Sequence, residues 1–548
     1  MPDRCRGIAL LLATAMALVS VVGCGLWGSE DPEVSKELGG RLVYGMTGEP
    51  DLFNPLLTAD PQSSYINRLV YAGLVRYDED LQIREYLAAG WEISEDKLSW
   101  TFYLQEDVQW HDGEPFTAED VVFTYETLLD PDFPGTRQEE FLDLKGVEAV
   151  DDHTVRFQLD RPFSPFLSLL TMGILPQHLF SEDAPDGTAV AQLAENPNNY
   201  QPTGLGPYKW NDWDFGESLT LTANREFFLE GPWIETLTFH FISDQDRLLD
   251  KLREGELGYA TSLPHGEVED LKGALQDSHV FHRLPSHGYQ YIGLHQDHPI
   301  LSDIRVRQAL MYGLNREAMV EDVFGGYATP LHSHYPPTSW VHGGDLNPYQ
   351  YNPDRAKELL EDAGWSPGSE GPRRDSQGSP LSFSLVAADH SRENRAVVEH
   401  AESHWSELGV QLRPEYQEWA QLLDRYVERS SFDSYLLGWT LGLDPDSYVF
   451  FHSSQSQLTR DGYVVGLNDV AFRHDRADEL LEEGRWHTEN DDRLGVYTEF
   501  QEILNRQLPY LFLYTRETVI AVDSRVKGVT ISPLGPVFPE RWFLETGP

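Results

Sequence analysis

The chain has 548 residues, 40% hydrophobic and 12% aromatic, enough for a large core and too apolar for a disordered polymer. Its 41 basic residues face 90 acidic ones, a formal charge of −49, which disfavours binding to a phosphate backbone. Two cysteines, Cys5 and Cys24, exclude a disulfide framework and any cysteine-built zinc or iron–sulfur site.

Arg4 and Arg6 precede an apolar run from Ile8 to Val22, shorter than the ~20 residues of a membrane span and suited to an export signal. The run ends in Val21-Val22-Gly23-Cys24 and is followed by a polar, acidic stretch. This resembles a lipobox, with small Gly23 before the cut and the Cys24 thiol carrying the lipid. The alternative is an ordinary signal peptide with an incidental cysteine. Residues 1–23 are thus expected to be a lipoprotein signal peptide and 24–40 a tether. The body is expected to be extracytoplasmic, lipid-anchored to a bacterial membrane. The carboxylate excess, with few lysines among the cations, suggests an acidic surface suited to high salt or an acidic lineage without that need.

Arg41 to Gly45 has a short β pattern, Pro50 to Pro61 reads as loop, and Ser63 to Val75 as an amphipathic helix. Trp100 to Leu104 alternates like a half-buried strand, Trp110-His-Asp-Gly113 is a turn, and Thr117 to Asp120 is a capping box opening a helix that Asp130-Pro131 stops. Thr154 to Leu159 is a further strand. Helical periodicity recurs over 305–320, 354–363, 395–408, 478–484 and 492–506, and 364–379 reads as a surface loop. Strands and helices alternate to the end, a mixed α/β class.

Several segments resemble the signature of family 5 extracellular solute-binding proteins, the peptide-binding lipoproteins of ABC importers. They are Trp100-x-Phe102-x-Leu104, Val108-x-Trp110-His111-Asp112-Gly113-x-x-Phe116-Thr117-Ala118-x-Asp120-Val121, Gly204-Leu-Gly206-Pro207-Tyr208, Leu252-Arg-Glu-Gly255-Glu256, Asp303-x-Arg305-Val306-Arg307-Gln308-Ala309-Leu310, Tyr351 to Trp365, and Gly438-Trp439 with Asp444-Pro445-Asp446. The resemblance covers about residues 41 to 545.

It implies a periplasmic-binding-protein type II (Venus flytrap) fold with two lobes and an extra domain. Domain I would comprise 41–72, 177–284 and 513–548, domain II 73–176, and domain III 285–512. Tyr289 to Gly293 and Leu511 to Tyr514 would lie at crossovers between lobes. The resemblance further implies an oligopeptide ligand held in the interlobe cleft, permease subunits as partners, no cofactor, no catalysis and a monomer.

The ligand-contacting candidates it implies are Glu49, Tyr291, Trp439, Thr440, Gly442, Asp444 and, from domain II, Arg137. Each has a bland counterpart: Glu49 as a loop charge, Trp439 as core, Asp444 as a helix N-cap before Pro445. Many relatives carry an aspartate for the peptide ammonium where this chain has Gly442, which favours long peptides over short ones. Trp100, Phe102 and Trp110 are expected inside a sheet, and Arg305 and Arg307 at a helix start. His332, His334 and His342, and His295 with His298, are the closest histidine groupings, without a diagnostic ligand spacing. An oligosaccharide or metal chelate in the same fold remains open, and so, from another class, does an extracytoplasmic hydrolase, although no G-x-S-x-G or H-E-x-x-H motif occurs.

Overall fold

The computed structural model describes residues 36–548 except 59, 186, 370, 390, 428–429, 461, 533–534 and 546–548. The signal segment, Cys24 and most of the tether lie outside the described residues. The dominant element is a mixed sheet in the order Gln411–Gln417, Ser382–Ala388, Ser434–Thr440, Gly288–Leu294, Tyr510–Asp523, Tyr259–Ala260, Arg41–Met46, Thr236–Phe241, Ser218–Ala223, Tyr208–Asp214.

Tyr510–Asp523 holds this sheet together. Its first residues pair with Gly288–Leu294, and its last with His279–Pro285. Those two partners are consecutive strands separated by Ser286 and His287 alone. Ser286 donates its N–H to the Arg516 carbonyl (2.7 Å), and the Thr515 hydroxyl donates to the Ser286 carbonyl (2.9 Å), so the two places where the chain is expected to cross between lobes are bonded to each other. Tyr289–Gly293 and Leu511–Tyr514 run just to one side of them.

On that side the period of two separates two cores. Tyr289, Tyr291, Tyr435, Leu437, Tyr510 and Phe512 enter one, and Ile292, Leu294, Leu436, Leu511 and Leu513 the other. On the far side one core joins Leu42 and Tyr44 to a separate antiparallel sheet in the order Ala88–Ile93, Ser99–Leu104, Thr154–Leu159, Leu144–Asp151, and another gathers Leu248, Leu252 and Leu271 with Ala260, Val519 and Ala521. Trp100, Phe102 and Trp110 are buried in it, as expected. The helix Ala118–Leu129 covers this smaller sheet, and its Thr117–Asp120 capping box is complete in both directions.

Three local expectations change. The helix expected over 63–75 runs Pro61–Val70, and Val75–Tyr77 is a strand. It cannot continue because Gly73 lies against Thr171, whose carbonyl would be 2.6 Å from any Cβ there. The helix expected over 305–320 is two, Ile304–Tyr312 and Arg316–Phe324, with Asn315 capping the second by accepting from Ala318 N–H. The loop 364–379 is not only surface: Arg373 is buried and donates to the carbonyls of Leu408 and Trp365. Arg305 and Arg307 do serve the helix start, Arg305 on Asp303 and Arg307 on the Leu301, Ser302 and Gln507 carbonyls.

Candidate functional site

A cavity of about 720 Å³ opens beside the crossings, within the ~300–1,000 Å³ usual for ligand pockets. Its walls include the helix Pro61–Val70, the crossing residues Ser286 and His287, Thr518 of the long strand, and Thr440.

The helix is set by local chemistry. Asp60 accepts the Ser63 N–H at 2.7 Å and Pro61 fills the first turn, where its missing donor costs nothing. Ile66, Leu69 and Val70 pack into the core, and buried Asn67 and Leu69 reach the cavity wall. Tyr65 and Arg68, one turn apart, line the cavity. The helix end is clamped by Gly204 and Gly206, where a Cβ would stand 1.9 Å from the Val70 carbonyl and 2.4 Å from the Leu69 carbonyl. His111 holds that glycine pair: its Nδ1 accepts from Gly204 N–H (3.2 Å) and its Nε2 donates to the Gly206 carbonyl (3.0 Å). Burial pushes His111 down to about 4, so it is neutral at physiological pH, as this bonding requires.

His287 is likewise held neutral by burial. Its Nε2 donates to the Gly442 carbonyl (3.0 Å) and its Nδ1 accepts from the Thr338 hydroxyl (2.7 Å). It therefore fixes the segment after Thr440 to the crossing. Two orphaned polar atoms also belong to cavity residues, Asn67 Oδ1 and Arg137 Nε, both buried and without a hydrogen-bond partner.

Of the residues singled out in the sequence, Thr440 and Arg137 line the cavity. Arg137 donates to the Pro55 carbonyl (3.0 Å) and to Glu140 (3.1 Å). The other five lie outside the lining, each for a visible reason. Glu49 accepts from Trp213 Nε1 (3.0 Å) and Gly216 N–H (2.8 Å), which ties it to the hairpin Tyr208–Ala223. Tyr291 is fully buried, stacked on Tyr510 at 4.0 Å. Trp439 packs on Phe450 at 5.0 Å with its Nε1 buried and unbonded. Gly442 faces open space where a side chain would be, with its carbonyl on His287. Asp444 is neither a helix cap nor free for an ammonium: both its oxygens bond Arg493, at 2.7 and 2.8 Å. The short helix after Pro445 is Tyr448–Phe451, and its cap position is Ser447.

The strand Ser434–Thr440 has one unusual edge. Gly288–Leu294 pairs with it along its whole length, but Ser382–Ala388 pairs on the other side only at Ser434 and Tyr435. Among the described residues, no strand pairs with that side from Leu436 to Thr440.

Arg68, Tyr65, His287 and Asn67 were not singled out from sequence. One signal was present: in a chain with 90 acidic residues, Arg68 has Ser64, Tyr65, Tyr71 and Ala72 at helical spacing and no carboxylate. Among the described residues no group of three or more His, Cys, Asp or Glu could hold a metal ion, and no helix is long and apolar enough to cross a membrane.

The family model described as bacterial extracellular solute-binding proteins, family 5 Middle, matches residues 82–461. The chain is similar to the oligopeptide-binding protein AppA of Bacillus subtilis, 29% identical over 98% of this chain and 99% of that one. The structure of AppA in complex with a nonapeptide superposes with a TM-score of 0.72 at 28% identity, covering 93% of this chain and all of that one. The structure of NikZ from Campylobacter jejuni in complex with Ni(L-His) superposes with a TM-score of 0.71 at 27% identity, again covering 93% and 100%.

Proposed function

The chain belongs to the family 5 bacterial extracellular solute-binding proteins, and from that premise we propose that it captures oligopeptides and hands them to the permease of an ABC importer. The observation that carries this reading is the strand edge from Leu436 to Thr440 with which no described strand pairs, which emerges from the core at Gly438 and runs to the cavity at Thr440. An extended peptide can pair its main chain with such an edge whatever its side chains are, which suits a receptor of broad specificity. The two peptide-bearing comparisons, to the protein and to its nonapeptide complex, support the same class of ligand.

The lobes are 41–72, 177–284 and 513–548 on one side and 285–512 on the other, with 73–176 as the extra domain. Ligand touching both lobes favours the closed state by its differential contacts, a population shift about the bonded crossings. Thr440 and Arg137, both in the cavity lining, contact the ligand, and Trp439 and Gly442 shape the strand end. The tie between Asp444 and Arg493 leaves no carboxylate for a peptide ammonium at that position, consistent with long peptides. The N-terminus is a lipoprotein signal, Cys24 carries the lipid, and the mature receptor works as an extracytoplasmic monomer with an acidic surface.

Native mass spectrometry of protein purified without denaturation from a rich medium tests the ligand class. Adducts that fragment into peptide ions are expected. Hexose-spaced or metal-isotope adducts would replace the peptide reading with a sugar or a chelate.

A further inference from the structure

We infer that the cavity recognises a carboxylate on its ligand, and that Arg68 is the residue that binds it. This rests on the solute-capture reading of the cavity, and it adds the charge of the solute. The cavity is lined by three guanidiniums, Arg68, Arg76 and Arg137, and, among the described residues, two carboxylates, Asp78 and Glu540. Both carboxylates are taken. Asp78 bonds Arg84 at 2.8 Å and accepts the backbone N–H groups of Asp80 and Gln82, and Glu540 bonds Arg76 at 2.9 Å.

Arg68 is different. No hydrogen bond or ion pair joins it to any described residue, and its nearest ring contact is Tyr65, 5.7 Å to the centroid. It is exposed, but to the cavity: the surrounding protein desolvates it and lowers its pKa below the ordinary guanidinium value. Of the three lining guanidiniums, Arg76 has Glu540 and Arg137 has Glu140, and Arg68 alone is without a carboxylate among the described residues. A guanidinium held in a confined, partly desolvated site gains most from a bidentate carboxylate, whose two oxygens match its fork of donors. Arg137 in the same lining adds a cation of the same sign. No uncommitted carboxylate among the lining residues answers a ligand cation. The anion can be a peptide's C-terminus, an acidic side chain, or the carboxylate of a non-peptide solute.

The test uses the whole protein, wild type and Arg68→Gln, incubated with a mixed library and read by native mass spectrometry. The library holds peptides as free acids and as matched C-terminal amides with neutral side chains, and oligosaccharides with and without uronic acids. The wild type is expected to retain free-acid peptides at least tenfold over their amides, and Arg68→Gln to retain both alike, with unchanged thermal unfolding. Arg68→Lys, which keeps the charge and loses the fork, should recover part of the preference. Equal retention of acid and amide by the wild type overturns the carboxylate inference and leaves the peptide reading standing. Acidic sugars retained in place of peptides overturn the peptide reading and support the inference, provided Arg68→Gln loses them. Acid preference that survives in Arg68→Gln, or retention of no acidic compound by the wild type, overturns the inference.

Discussion

Asp444 and Arg493 form a bidentate ion pair, 2.7 and 2.8 Å, in which the arginine side chain is 5% exposed and the aspartate 14%. Arg493 also donates to the Gly484 carbonyl at 3.0 Å, so the pair ties the loop after Thr440 to two helices, Asp475–Trp486 and Asn490–Gln507. The aspartate is thereby committed to the protein.

Replacing Asp444 with Asn should cost about 3–5 kcal/mol of stability, because it strands a buried guanidinium. Chemical denaturation checks the loss. Affinity for a free-amine peptide relative to its N-acetylated form should not change; an Asn variant that lost a preference for free amines would return Asp444 to the binding site.

Three contacts away from the crossings join the segment proposed as the extra domain to the segment proposed as the second lobe. Lys97 lies 4.1 Å from the Trp486 ring centroid, Asn490 donates to Gln82 (3.1 Å), and Ser164 N–H donates to the Arg485 carbonyl (2.7 Å). In the proposed lobe scheme they would act as a latch on the closed state. Trp486 is half exposed, so Trp486→Ala should cost little stability. It should remove about 0.5–1 kcal/mol of closure energy, a two- to fivefold faster ligand release by stopped flow. An unchanged release rate would mean that the latch carries no weight.

His111 gives the protein an acid limit. Its folded pKa, about 4, lies below the ordinary histidine value near 6.5, so the unfolded chain takes up its proton first as pH falls. The stability it contributes is fully present above pH ~6.5 and is lost down to about pH 4, roughly 3 kcal/mol in all. His111→Gln should flatten this part of the stability curve between pH 7 and 4. A slope identical to wild type would assign the loss to other groups.

Asp469 works in the opposite sense. Burial pushes its carboxyl up to about 7, only partly offset by the Tyr435 hydroxyl beside it. Its contribution is present below pH ~4, where both states are protonated, and is lost as pH rises to 7. Asp469→Asn should therefore stabilise the protein at pH 8, by up to about 4 kcal/mol, and much less at pH 4. Equal effects at the two pH values would show that ionisation is not the cause.

Much of the fold was legible because its signals are local. The Thr117–Asp120 capping box, the Asp112-Gly113 turn and the Trp100–Leu104 alternation are decided within a few residues, and each stands where the sequence has it. The helix after Asp60 was read too long because its stop is tertiary: Gly73 meets the Thr171 carbonyl about a hundred residues along the chain. The site was less legible. Tyr291 and Asp444 look like functional residues in a string of letters, yet their partners, Tyr510 and Arg493, are brought to them only by the sheet and the helix pair. Arg68 was overlooked for the converse reason, since the mark of its role is a partner that is missing.

The bonds from Ser286 to Arg516 and from Thr515 to Ser286 have a mechanical consequence. Two separate tethers would let the lobes slide, twist and gape independently. Two tethers bonded across their midpoints behave as one axle, which leaves a single rotation as the soft coordinate. In the proposed lobe scheme, the chemistry of the solute would then be read out as a position along that one rotation.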